Sequence, residues 1–90
     1  MNFSEATFRF LEHLRLVKGA SSHTLRAYTS DLQGFVVFAK DQRDKRAIRR
    51  YLASLHEKGA SPGTILRRLS TLRSFFQFAM KEGLIKENPT

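Results

Sequence analysis

The sequence predicts an all-α fold, a compact four-helix orthogonal bundle of two related helical hairpins. Three observations predict it. Apolar residues recur with the 3.6-residue period of amphipathic helices, and no long stretch alternates with the period of two that a half-buried strand needs. Glycines and capping side chains punctuate the chain where one helix would stop and the next begin. The chain also repeats itself at an offset of 40 residues. Lys18-Gly19-Ala20-Ser21 recurs as Lys58-Gly59-Ala60-Ser61, and Ser22-His23-Thr24-Leu25 lines up with Pro62-Gly63-Thr64-Ile65. Ser30, Leu32, Phe35, Phe38 and Ala39 then line up with Ser70, Leu72, Phe75, Phe78 and Ala79.

The first helix is expected from about Ser4 to Val17, with Phe3, Thr7, Phe10, Leu11 and Leu14 along one stripe and Gly19 as its C-terminal stop. The second runs from about Ser22 to Lys40. Leu25, Tyr28, Leu32, Phe35, Val36 and Ala39 mark its buried face, and Gly34 sits inside it at a cost of roughly 1 kcal/mol relative to alanine. The charged stretch from Lys40 to Lys45 is a connector. The third helix, about Lys45 to Lys58, carries Ile48, Tyr51, Leu52 and Leu55 as its stripe and Asp44 as its cap, and Gly59 ends it. The fourth opens with Ser61 as N-cap and Pro62 at its first position, and runs to about Glu82 before Gly83. Ile65, Leu69, Leu72, Phe76 and Ala79 form its inner face. Short joints favour antiparallel neighbours.

Ninety residues make one domain with a single core. Sixteen Lys and Arg against eight Asp and Glu give a formal charge of +8, which points to nucleic acid or an anionic membrane surface. No apolar run approaches the roughly 20 residues that span a bilayer, and the N-terminus lacks a signal-peptide pattern. The absence of cysteine excludes disulfides and thiolate metal sites and fits a cytoplasmic setting. Eight Phe and a 41% hydrophobic content belong to a packed domain, not to a disordered basic tail.

Two similarly built helix starts become available to an anion, because the first amides of a helix are unpaired and the dipole is positive there. In so basic a chain the expected anion is a phosphate backbone. On a wheel of about 100° per residue, Thr64, Arg67, Thr71 and Ser74 fall opposite the apolar stripe of the fourth helix, with Arg68 nearer its edge. This face carries no carboxylate and is expected to have no acidic partners, and Ser61, Gly63 and Thr64 at its start are short enough for close approach of a phosphate or base edge. A solvated basic face is the alternative. The second helix offers a thinner counterpart in Ser21, Ser22, His23, Thr24 and Arg26, where N-capping by Ser21 or Ser22 is expected in either case. Lys45, Arg46, Arg49 and Arg50 form a further basic cluster, either an electrostatic attractor or a solvated face.

No catalytic constellation, cofactor site or metal site is expected. His13, His23 and His56 lack ligand spacing, and no glycine-rich phosphate loop is present. Tyr28 and Tyr51 belong to apolar stripes. Glu5, Glu12, Asp31 and Asp44 read as surface charges or caps. Phe75 and Phe78 are expected beside or on the outer face of the fourth helix, with Phe38 at the equivalent place in the second. Either another domain or protomer covers them, or the first helix and Leu84-Ile85 do.

The pattern FLEHLRLVKGASSHTLRAYTSDLQGFVVFA, followed by GASPGTILRRLSTLRSFFQFAMKEGLIKENP, resembles the N-terminal core-binding domain of tyrosine recombinases. The likeness is to the XerC/XerD type within the phage-integrase family and covers nearly the whole chain. It implies a SAM-like helical domain over residues 1–87 that grips double-stranded DNA; the alternatives are a free-standing helical DNA-binding regulator and a protein-interaction module using Phe38, Phe75 and Phe78. Residues 88–90 would start a linker to a separate catalytic domain, which cuts and rejoins DNA through a phosphotyrosine. It further implies sister recombinase subunits in a tetrameric synaptic complex, with the present chain monomeric, no cofactor, and no catalytic residue within it. The matching DNA-contact positions are Ser22, His23, Thr24 and Arg26 in the second helix and Thr64, Arg67, Arg68, Thr71 and Arg73 in the fourth. Gly63 departs from the pattern, as does Thr29-Ser30, since basic residues often stand at both places.

Overall fold

Every helix of the chain starts at a side chain that accepts a hydrogen bond from the backbone N–H three residues on. The computed structural model describes residues 2–90. Asn2 Oδ1 accepts from the Glu5 amide at 3.1 Å, opening α1 (Phe3–Leu16). Ser21 Oγ accepts from Thr24 at 3.2 Å, opening α2 (Ser22–Ala39). Asp44 Oδ1 accepts from Ala47 at 2.9 Å, opening α3 (Lys45–Glu57). Ser61 Oγ accepts from Thr64 at 3.2 Å, opening α4 (Pro62–Lys81), where Pro62 takes the first turn as expected. Asn2 is the one cap that the apolar pattern did not reveal.

The stops are equally local. Gly59 (φ +85°) and Gly83 (φ +74°) adopt the left-handed conformation that glycine enters without a Cβ penalty. Ala60 N–H donates to Leu55 O at 3.0 Å and Gly59 N–H to His56 O at 3.0 Å, a Schellman pair. Leu84 to Ala79 at 2.9 Å with Gly83 to Met80 at 3.1 Å repeats it on α4. α2 ends differently. Lys40 takes φ +56°, ψ −115°, and Gln42 N–H closes onto Ala39 O at 3.0 Å, the geometry of a type II′ turn with lysine where glycine is preferred.

The duplicated sequence folds in duplicate. α2 and α4 pack against each other, and α1 and α3 each pack on both. The smallest extent of the chain, 17 Å, is that of two helix layers. Repeat-equivalent side chains meet in the core: Leu32 and Leu72 are 1% exposed, Phe35 and Phe75 fully buried. Phe3 and Phe10 of α1 lie with ring centroids 4.9 and 5.6 Å from Phe75, and Phe76 at 5.1 Å. Tyr51 of α3 packs edge-on to Phe35 at 5.5 Å.

Phe75 is therefore a correction: it is not on or beside an outer face but at the centre. Two flanking helices cover α4, so its buried arc is wider than one stripe. Phe78 is half-buried under the rings of Phe10 (5.5 Å) and His13 (5.1 Å), which makes α1 the cover considered for it. Phe38 keeps 40% exposure while touching Tyr51 at 5.6 Å. Tyr28 is half-buried against Phe10. Among the described residues no helix is long and apolar enough to cross a membrane.

Candidate nucleic-acid interface

At the start of α4, Ser61 and Thr64 lock each other. The Thr64 amide donates to Ser61 Oγ, and the Ser61 hydroxyl donates to Thr64 Oγ1 at 3.1 Å. Ser21 and Thr24 reproduce both bonds at the start of α2, with the same 3.1 and 3.2 Å distances. Both starts thus form the same cap, and capping and anion binding are compatible at each. The two differ in what they leave free. The first two amides of α2, Ser22 and His23, precede the capped one. Proline has no N–H, so only Gly63 offers such an amide on α4. Gly63 is exposed and a Cβ there would meet only Ser61 Oγ, at 4.0 Å.

Ser22, His23 and Arg26 are exposed on α2, while Thr24 is half-buried at the rim of a groove of about 640 Å³ that it shares with His13, Ser74 and Gln77. On α4, Ser61 and Arg73 are exposed and Thr64 is half-buried. The basic residues Lys45, Arg46, Arg49 and Arg50 are exposed on α3, with Arg50 donating to Gln42.

The middle of the α4 face departs from the wheel. Asp31, read as a surface charge, is 3% exposed. Its Oδ1 accepts from Arg67 Nη2 at 2.9 Å and its Oδ2 from the Thr71 hydroxyl at 2.8 Å. Thr71 is itself 4% exposed, so it is not on the solvent face where the wheel put it. A wheel describes one helix, and here the neighbouring helix delivers a carboxylate to the supposedly acid-free face. Arg67 nonetheless keeps 57% of its side chain exposed, so its pairing with Asp31 occupies one edge of the guanidinium and leaves the rest outward.

Arg68 lies deeper, with 25% of its side chain exposed. Its Nη1 donates to Tyr51 Oη at 2.8 Å, and its Nε, buried without a hydrogen-bond partner, is 4.0 Å from Asp31 Oδ1. Gly34 makes this possible. A Cβ on it would stand 2.8 Å from both Arg68 Nη1 and Tyr51 Oη. The glycine that looked like a helix defect is the floor under an arginine. Its signal was in the sequence, as an unexplained Gly inside an otherwise strong helical pattern.

The arrangement is a basic helical surface with one buried carboxylate beneath it and no group of three or more His, Asp or Glu placed to hold a metal among the described residues. The comparisons with known proteins identify the family. Residues 8–83 match the family described as phage integrase, N-terminal SAM-like domain, and the chain belongs to that family. It is similar to the tyrosine recombinase XerC of Thermodesulfovibrio yellowstonii, with 51% identity over 83 residues, 89% of this chain and 28% of that protein. The tyrosine recombinase XerD of Staphylococcus saprophyticus is 38% identical over 88 residues, 90% of this chain and 30% of its own. The XerC of Chromobacterium violaceum is 42% identical over 89 residues, 94% and 29%. The chain thus spans under a third of the length of these curated relatives. No solved structure matches it significantly.

Proposed function

We propose that the chain is the DNA-binding domain of a site-specific tyrosine recombinase. It grips duplex DNA with the first halves of α2 and α4, through Ser22, His23, Thr24, Arg26, Ser61, Gly63, Thr64, Arg67 and Arg68, and with Arg73 just beyond the middle of α4. The single observation that carries this is Arg67. It projects from a rigid helix with most of its guanidinium in solvent, in a chain of net charge +8 whose relatives are tyrosine recombinases. Thr71 contributes from below, as a donor to Asp31, and not as a contact. Residues 1–87 form the binding domain and 88–90 begin the linker.

In this reading DNA is cut and rejoined by a separate catalytic domain through a covalent 3′-phosphotyrosyl bond. Sister subunits join in a tetrameric complex in the cytoplasm, and the isolated chain is a monomer. With half of the clamp, binding is weak and largely independent of sequence. Its signature is salt dependence, because each neutralised phosphate releases counterions. A titration of the chain with a short duplex at several salt concentrations tests this. Affinity falling steeply with salt supports the reading, and a flat profile or no binding at low salt rejects it.

A further inference from the structure

We propose that Asp31 is a positioning residue for DNA contact: buried under α4, it fixes the Arg67 guanidinium in the conformation that meets a phosphate. This rests on the reading of α4 as duplex-facing. Asp31 is 3% exposed and is itself held by the Thr71 hydroxyl at 2.8 Å, so it is a rigid acceptor. Arg67 donates to it at 2.9 Å and keeps 57% of its side chain in solvent. A free surface arginine loses rotamer freedom when it engages a ligand, whereas Arg67 has already lost it on folding. The repeat sharpens the point. The counterparts of Arg67 and Arg68 in α2 are Ala27 and Tyr28, and the counterpart of Asp31 in α4 is Thr71. The carboxylate is present in one copy and the arginines in the other, so the pairing exists only across the interface of the two.

Two effects of Asp31 oppose each other. Its negative charge beside the interface repels phosphate, while its hydrogen bond pre-orders the arginine. Replacing it by the neutral, near-isosteric asparagine therefore separates them by sign. Anisotropy titrations of a labelled short duplex, at one salt concentration and well below Tm, compare the chain with Asp31→Asn, Arg67→Ala and the double variant. Positioning predicts that Asp31→Asn weakens binding about two- to tenfold, the range for immobilising one long side chain. It also predicts that this loss vanishes in the Arg67→Ala background. Tighter or unchanged binding by Asp31→Asn makes Asp31 a mere screening charge and overturns the proposal. An equal loss in both backgrounds is a purely structural effect and overturns it too, as does an Arg67→Ala variant that binds like the parent chain. If Asp31→Asn does not fold, Thr71→Val keeps the carboxylate but removes the donor that orients it. A smaller loss that again vanishes without Arg67 supports the proposal, and no loss overturns it. A parent chain that binds no duplex rejects the functional reading and this inference together. A parent chain that binds through Arg67, with Asp31→Asn neutral, rejects the inference alone.

Discussion

Thr71 donates its hydroxyl to the Asp31 carboxylate at 2.8 Å, and the two residues are each other's counterparts, 40 positions apart in the duplicated sequence. The two copies of the repeat therefore touch at equivalent positions, as they would beside a local two-fold axis between α2 and α4. The pair that sits there has diverged into an acceptor and a donor, and a carboxylate that would be costly to bury alone is held by two donors.

That carboxylate changes what removing an arginine should do. Arg67→Ala leaves Asp31 buried with Thr71 as its one close donor. Because more than half of the Arg67 side chain is in solvent, the pair is discounted for screening, and a loss of about 1–2 kcal/mol is expected. Urea denaturation measures it. A stability equal to that of the parent chain would mean that Asp31 finds water without its arginine.

Gly34 should resist improvement. Alanine in a helix interior is favoured over glycine by about 1 kcal/mol, yet here a Cβ would crowd Arg68 Nη1 and Tyr51 Oη at 2.8 Å. Gly34→Ala is expected to give less than that gain or a net loss, and to recover part of the gain in a Tyr51→Phe background, where the oxygen is gone and Arg68 no longer has the acceptor that holds it there. Thermal unfolding of the three variants checks the coupling, and strict additivity would contradict it.

Lys40 invites the opposite change. Lysine at φ +56°, ψ −115° occupies a position suited to glycine. Lys40→Gly should stabilise the chain by up to about 1 kcal/mol, read as a higher Tm, and a lower Tm would refute the turn assignment.

Phe75→Ala should cost about 3–5 kcal/mol, because a fully buried ring leaves a cavity among Phe3, Phe10 and Phe76. Phe8, 64% exposed, should tolerate the same change with little loss. Equal Tm values for the two variants would contradict the packing described.

Much of this was legible in residue order. Asp44 and Ser61 as caps, Pro62 at its helix start and Gly59 and Gly83 as stops all follow from local chemistry, and local chemistry decides helix ends; between Ser21 and Ser22, both open as caps of α2, the structure selects Ser21. Boundaries drifted by a residue where a cap such as Asn2 lay outside the apolar pattern. What the sequence hid was pairwise. Asp31 and Thr71 look exposed on their own helices and become buried only when α2 meets α4, and Phe75 becomes central only because α1 closes over it. For the same reason the start of the basic face at Ser61, Gly63 and Thr64 could be read in advance, while the hold on Arg67 and Arg68 could not.

Amide chemical shifts of the chain, followed during titration with a short duplex at low salt, test the central claim most directly. The account predicts changes at Ser22–Arg26 and at Gly63, Thr64, Arg67 and Arg68, with the exposed apolar residues Phe8, Leu16 and Val17 undisturbed. Changes confined to Phe8, Leu16 and Val17, or none at all, would contradict it.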